Sequence, residues 1–278
     1  MTGSPGLGAL YEEHVLLGAD FEEGAAGTPR VACYAGESTD GSGAFLADLT
    51  GCAYLLAGGT DAEGFCAAAL AGRRCDVGEL AWEAVLNGAG RLVSVPLLMR
   101  SGTTEHVVID ASRRSEALGA WLEFLSRASS EEGGVAFPDL ALEDASGMLV
   151  PMLLAGPSAT EVLSDYLSDD ARPPVAGEVL QLRLDAIPTL VARLPGAFVP
   201  PAYLVLAPVA SSRILWRSLL SFAEVAPIGH RRLRELLDRH LPWAGALGDA
   251  SSPARRSALA NWGLVRDDDA FVGSRALA

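Results

Sequence analysis

Short apolar runs broken by glycine-, proline- and serine-rich stretches set the pattern of this chain, and the most informative run occurs twice. Leu55-Leu56-Ala57-Gly58-Gly59-Thr60-Asp61-Ala62-Glu63-Gly64-Phe65 returns 98 residues on as Leu153-Leu154-Ala155-Gly156-Pro157-Ser158-Ala159-Thr160-Glu161-Val162-Leu163. In each copy an apolar run ends at a glycine turn and a helix begins. Thr60-x-x-Glu63 and Ser158-x-x-Glu161 have the form of capping boxes, in which a hydroxyl accepts from the backbone N–H three residues on and the glutamate reaches back. One such box is common. Two of them behind the same strand and turn suggest a duplication, which describes construction and names no chemistry.

The remaining pattern follows the repeat. Residues 10–17 read as a helix, 31–34 as a strand and 36–43 as a loop. After a strand at 53–56 and a helix over 61–70 comes a hairpin, 81–86 and 91–99, about the turn Asn87-Gly88-Ala89-Gly90. A strand at 106–109 leads to a helix over 114–128 with Leu118, Leu122 and Leu125 on one face. Residues 129–134 are a polar break and the best linker. The second half gives a strand at 150–155, a helix over 159–167, strands at 179–184, 189–194 and 202–206, and a helix over 211–222. In that last helix Leu215 and Leu219 stand where Leu118 and Leu122 stood. The order predicts an α+β fold of duplicated antiparallel-sheet domains backed by helices, in a split-βαβ-like arrangement. Residues 226–278 have no counterpart and read as a basic helix over 231–239, an irregular stretch and a closing strand near 262–265. The expected domains are a discontinuous one, residues 1–50 plus 135–278, and an inserted α+β domain, residues 51–134.

Composition narrows the chemistry. The 278 residues suffice for two cores, and 50% apolar with 20% charged residues is globular. A net charge of −14 disfavours nucleic acid and anionic membrane as partners. All 21 basic residues are arginine, which excludes a P-loop lysine and any Schiff-base lysine. Cys33, Cys52, Cys66 and Cys75 form no C-x-x-C pair, and His14, His106, His230 and His240 are scattered, so no metal site is expected. His14 reads as a structural hydrogen-bonding residue. No signal peptide is recognisable, and the longest apolar tract, residues 189–210, carries Arg193 and four prolines. The expectation is a cytoplasmic protein with reduced thiols, in contact with neither membrane nor nucleic acid.

The third segment carries a family signal. Pro227-Ile228-Gly229, Arg232, Asp238, Leu241-Pro242 and Gly245 resemble the P-x-G-x-x-A-R-D-x-L-R-x-E-x-x-x-P-x-x-G stretch of the glycine cleavage T-protein (aminomethyltransferase) family. Ser252-Pro253, Ala258-Leu259, Trp262 and Phe271-Val272-Gly273-Ser274-Arg275-Ala276-Leu277 are similar to its closing segment. Upstream, in matching order, stand His14 with Gly18-Ala19, Leu56-x-Gly58-x-x-Asp61-Ala62-x-x-Phe65, Leu86-Asn87-x-x-Gly90 and Leu154-x-Gly156-Pro157-x-Ala159. The resemblance covers nearly the whole chain. It implies an aminomethyltransferase folate-binding-domain-like fold, with tetrahydrofolate held in a channel between the repeated halves. It also implies an aspartate just after the L-N-x-x-G turn that works with a folate nitrogen, a glutamate that holds the pterin, and an arginine that binds substrate. A guanidinium fork suits a carboxylate such as folate's glutamyl tail.

The departures are as informative. The family reads I-D-D where this chain has Val93-Ser94-Val95, so Ser94 and Val95 occupy the catalytic aspartate's position, and a hydroxyl is no carboxylate base. The glutamate-bearing stretch becomes Arg193-Leu194-Pro195-Gly196-Ala197-Phe198-Val199-Pro200-Pro201, with no glutamate. Asp110 stands at the family's usual asparagine, and the family's C-terminal barrel has no counterpart. Candidates for the folate site are therefore Arg232 (or Arg231, one residue out of register), Asp110, Ser94, Asn87 and Trp262. Read by residue type alone, Arg232 is a solvated helix residue, Asp110 a strand-end cap and Trp262 core. The resemblance implies a tetrahydrofolate-binding one-carbon transfer protein, methyl or aminomethyl, of altered substrate class. Its alternatives are a non-catalytic folate-binding or assembly protein and a subunit of a heteromeric methyltransferase whose partner supplies the barrel or a corrinoid.

Overall fold

The computed structural model describes residues 7–24, 27–37, 42–130, 133–196, 200–248 and 252–278. It begins with α1 (Tyr11–Leu16), β1 (Ala19–Glu23), β2 (Pro29–Tyr34) and β3 (Ala44–Asp48). Then come β4 (Ala53–Gly58), α2 (Ala62–Ala69), β5 (Glu79–Trp82), β6 (Val85–Leu86), β7 (Leu92–Ser94), β8 (Leu97–Arg100), β9 (Glu105–Asp110) and α3 (Ser115–Ser126). A parallel series follows with β10 (Ala141–Asp144), β11 (Leu149–Ala155), α4 (Ala159–Ser164), β12 (Val179–Leu184), β13 (Ile187–Arg193), β14 (Ala202–Pro208) and α5 (Val209–Leu219). The chain closes with β15 (Val225–Ile228), α6 (His230–His240), α7 (Ala244–Gly248) and α8 (Arg256–Asn261).

Two compact units result, Met1–Cys52 with Ser146–His240, and Ala53–Ala145 with Leu241–Ala278. The expected outer domain differs at both ends of its second segment, since residues 135–145 and Leu241–Ala278 cluster with the second unit. In the first unit six strands run β12-β13-β14-β11-β3-β15, antiparallel except for β15 on β3. Strands β11 and β14 are apolar and buried almost throughout, as central strands must be, while the edge strand β12 alternates. Leu46, Met152, Leu154 and Tyr203 from the sheet meet Val162 of α4 and Leu215, Trp216 and Leu219 of α5. In the second unit five antiparallel strands run β10-β4-β9-β8-β5, and Ala57, Leu98 and Val108 pack on Phe65 of α2 and Leu118 and Leu122 of α3.

The two sheets share an order, with β4, β5, β8 and β9 matching β11, β12, β13 and β14, and β15 extends the larger one. One pairing crosses over. The neighbour that β4 takes on its outer side is β10, and the neighbour that β11 takes there is β3. Yet β3 is the strand before β4 in the chain, and β10 the strand before β11. Each repeat thus gives its first strand to the other repeat's sheet, and two of the three boundaries between units, after Cys52 and after Ala145, fall at those crossings.

The repeated turn is built around this exchange. Gly59 and Gly156 take φ of 99° and 134°, and their carbonyls accept from the N–H groups of Ala62 and Ala159 at 3.2 and 3.1 Å. A Cβ at Gly59 would strike the Asp139 carbonyl, and one at Gly156 the Gly43 carbonyl. Asp139 and Gly43 each lie just ahead of an exchanged strand. Gly59, not Gly58, is therefore the equivalent of Gly156. The capping boxes do not form: Asp61 and Ser158 are the N-caps, and neither makes a side-chain cap bond. Thr60 instead donates to Asp139 Oδ2 at 3.2 Å.

Two other expectations change. The hairpin of residues 81–99 breaks at Glu83-Ala84 and Val95-Pro96, so that β5 and β8 stay in the sheet while β6 and β7 form a separate ribbon. Pro96 offers no N–H, and its carbonyl accepts from Glu83 at 3.0 Å across the break. No strand forms near 262–265. Gly263, at φ 71°, ends α8 there, with the Leu264 N–H on the Leu259 carbonyl at 2.9 Å. The break at 129–134 is a return inside the second unit, the Ala136 N–H reaching the Ala128 carbonyl, with residues 131–132 outside the described ones. No described helix is long and apolar enough to cross a membrane.

Candidate functional site

Of the residues singled out in the sequence, Ser94 and Asp110 are brought together. Ser94 closes β7, is fully buried, and its hydroxyl donates to Asp110 Oδ2 at 2.5 Å. Asp110 ends β9, and its Oδ1 accepts from the Ser112 N–H at 2.8 Å. Ser112 Oγ in turn accepts from the Arg114 N–H at 3.1 Å, directly ahead of α3. Both carboxylate oxygens are engaged, so Asp110 works as the strand-end cap that its residue type suggested. Val95 is buried and apolar. The position expected to hold a catalytic aspartate thus holds a hydroxyl, and the carboxylate beside it comes from β9.

Asn87 is committed to its turn. Its Oδ1 accepts from the Ala89 and Arg91 N–H groups at 3.0 and 3.1 Å, an arrangement that asparagine makes readily. Trp262 is the half-buried C-cap of α8 and belongs to no strand. Arg232, in the first unit, lies in the opening turn of α6 with Nη1 2.7 Å from Glu235, and Arg231 pairs with Glu22 at 3.4 Å. Residues 197–199, within the stretch that lacks the expected glutamate, lie outside the described residues.

Two polar groupings were not assembled from sequence. In the first unit His14 is buried between Tyr34, whose hydroxyl is 2.7 Å from Nδ1, and Asp48, whose Oδ2 is 2.9 Å from Nε2. Thr50 donates twice to Asp48 Oδ1, through its N–H at 2.9 Å and its hydroxyl at 2.7 Å, so the chain Tyr34–His14–Asp48–Thr50 is continuous. Burial, then the Asp48 charge, raises the Tyr34 pKa, which keeps that hydroxyl a donor. In the second unit Glu83 and His106 line a small cavity with several arginines. Burial pushes the Glu83 carboxyl up to about 8 and, with the Arg100 charge, lowers His106. Only three-dimensional packing joins these groups, which stand far apart in sequence or in strands of ordinary appearance.

No family model and no curated protein matches the chain. Among solved structures it is similar to the glycine cleavage system aminomethyltransferase T of Bartonella henselae, with a TM-score of 0.71 and 21% identity over 98% of this chain and 74% of that one. A heterotetrameric sarcosine oxidase from Corynebacterium sp. U-96 is a more distant match, at TM-score 0.44 and 16% identity over 79% of this chain and 98% of that one. The first likeness establishes the fold as that of an aminomethyltransferase T, the duplicated α+β class expected from the repeat. No closed barrel is found among the described residues.

Proposed function

We propose that the protein binds tetrahydrofolate and serves one-carbon transfer, methyl or aminomethyl, with an altered substrate class. The observation that supports this most is the T-protein fold over 98% of the chain, because it coincides with the ordered landmarks from His14 to Leu277. Arg232 is the residue we assign to the substrate or glutamyl carboxylate, since a half-buried guanidinium whose ion pair among the described residues is across a helix turn can exchange Glu235 for a ligand. Tryptophan fluorescence titrated with reduced folate should saturate in the micromolar range, and Arg232→Ala should weaken it about tenfold. A titration still flat at millimolar folate overturns the reading.

One observation favours a second reading, non-catalytic folate binding. Asp110, the carboxylate beside the rewritten Ser94–Val95 position, has both oxygens engaged and is not poised as a base. Folate binding with no methyl transfer from any N-methyl amine donor would select it. A protein partner fits either reading, with Val15 and Leu16 of α1 and Ile214 of α5 apolar and exposed in the first unit.

A further inference from the structure

The cavity in the second unit is not used by the folate reading. It measures about 20 Å³, and its deep side is the Glu83 carboxyl, whose residue exposes 1% of its surface. Gly72 admits that carboxyl, because a Cβ there would strike Oε2, and the Gly72 N–H donates to it. Oε1 has no hydrogen-bond partner among the described residues, and neither has Nδ1 of His106, which is 3% exposed and lines the same cavity. Buried polar atoms are almost always partnered, so two orphans on one cavity point to a guest that supplies the missing bonds.

The charge around them states the guest's sign. Arg73, Arg74, Arg100 and Arg266 all line this cavity in a chain whose net charge is −14. Three are fixed in place, each with a carboxylate partner: Arg73 by Glu79 at 2.6 Å, Arg100 by Glu63 at 3.0 Å, and Arg266 by Asp268 at 2.8 Å and by the Ala67 and Leu70 carbonyls at 2.5 and 2.6 Å. Arg74 is exposed at the rim. Glu63 is the other lining carboxylate, and the Cys66 and Cys75 thiols are held neutral, pushed up to about 12 by burial. No three metal-ligating side chains among the described residues are placed to hold a metal ion. The volume exceeds the 10–15 Å³ or so that one water needs, and so holds one water-sized group such as a single carboxylate oxygen, the exposed Arg73 and Arg74 leaving the rest of a small anion room toward solvent.

We propose that this cavity binds a small carboxylate of formate size, with Glu83 and His106 hydrogen-bonding it at the deep end and arginines balancing its charge. Glu83 enters as a donor. At neutral pH its carboxyl is protonated and points a hydrogen at the anion, and on ionising it repels the same guest.

The test uses the full chain without folate, so its outcome is independent of the folate reading. Calorimetric titration and thermal unfolding are followed with sodium formate against sodium chloride at equal ionic strength, at pH 6.5 and pH 9. The expected result is formate-specific saturation at pH 6.5, at least tenfold weaker at pH 9. Glu83→Gln, neutral and of the same shape, should bind at both pH values without that dependence. Arg74→Ser should weaken binding about fivefold with an unchanged circular dichroism spectrum. Formate that acts no differently from chloride at pH 6.5, or a pH dependence that survives in Glu83→Gln, overturns the proposal and leaves the cavity to a buried water.

Discussion

In the first unit His14 engages both ring nitrogens, with Tyr34 and Asp48, whereas in the second unit His106 leaves Nδ1, and Glu83 leaves Oε1, without a partner among the described residues. The two units carry matching sheets, so topology alone does not force the difference. One unit uses a buried polar chain to tie α1 to β2 and β3 and satisfies every member. The other gathers polar groups on a cavity and leaves two atoms open. Satisfied networks fix a structure, whereas open ones cost stability and persist where something binds. The contrast is one between the two groupings, since Trp216 Nε1 and His230 Nε2 of the first unit also lack a partner among the described residues, and it directs functional interest to the cavity that gathers two such atoms.

Truncating the centre of the satisfied chain should give the largest effect. His14→Ala leaves the Asp48 carboxylate and the Tyr34 hydroxyl buried and short of a partner, at a site 2% exposed. We expect a loss of roughly 3 kcal/mol or more in urea unfolding. His106→Leu, which removes a ring nitrogen with no partner among the described residues, should cost less than about 1 kcal/mol. Equal losses in the two variants would erase the distinction between the units.

The exchanged strands come next. Gly59→Ala and Gly156→Ala each place a methyl group against the backbone ahead of an exchanged strand and force a side chain to positive φ. Each should destabilise by about 2–3 kcal/mol, and by similar amounts, if the turns are the same device. A neutral result at either position would show that its exchanged strand can withdraw.

How much of this was legible follows from what each feature depends on. The duplication was, because β4-turn-α2 and β11-turn-α4 are local and their apolar runs recur. The strand exchange was not. β3 and β10 each lie close in sequence to a strand that they do not pair with, and which neighbour wins is decided by long-range pairing. The hairpin was read as continuous because Glu83 and Pro96 look like interruptions of no consequence, although they steer a carboxyl into the cavity. The helix end at Gly263 was missed because an apolar Trp262–Leu264 pattern outweighed one glycine. The pairing of Ser94 with Asp110 needed two strands to converge, which no spacing announces.

Titrating Glu83 sharpens the comparison in pH. Its native pKa of about 8 lies above the usual carboxylate value of 4.5. The native state therefore holds the proton more tightly, and this stabilisation is complete below about pH 4.5 and lost as pH rises through 8. Glu83→Gln keeps a neutral side chain throughout. Its stability should match wild type near pH 4.5 and exceed it by roughly 2 kcal/mol at pH 9, less than half of the ~5 kcal/mol that a shift from 4.5 to about 8 represents at ~1.4 kcal/mol per unit. Denaturant midpoints across pH 4.5–9 would show it, and a constant offset would mean that Glu83 does not titrate in this range.

The smallest effect belongs to the apparent capping boxes, where the two units should agree. A hydroxyl that caps a helix is worth about 1 kcal/mol, and its replacement by alanine exposes that value. Ser158 makes no such bond, its backbone taking helical angles, φ −86° and ψ −2°, in place of the extended ones of a capping residue. Thr60 makes only a surface bond to Asp139. Ser158→Ala and Thr60→Ala should each change unfolding free energy by less than about 0.5 kcal/mol. A loss near 1 kcal/mol in Ser158→Ala would restore a cap to the first unit that its counterpart Asp61 does not make in the second, and would split the two turns that the exchanged strands imply are one device.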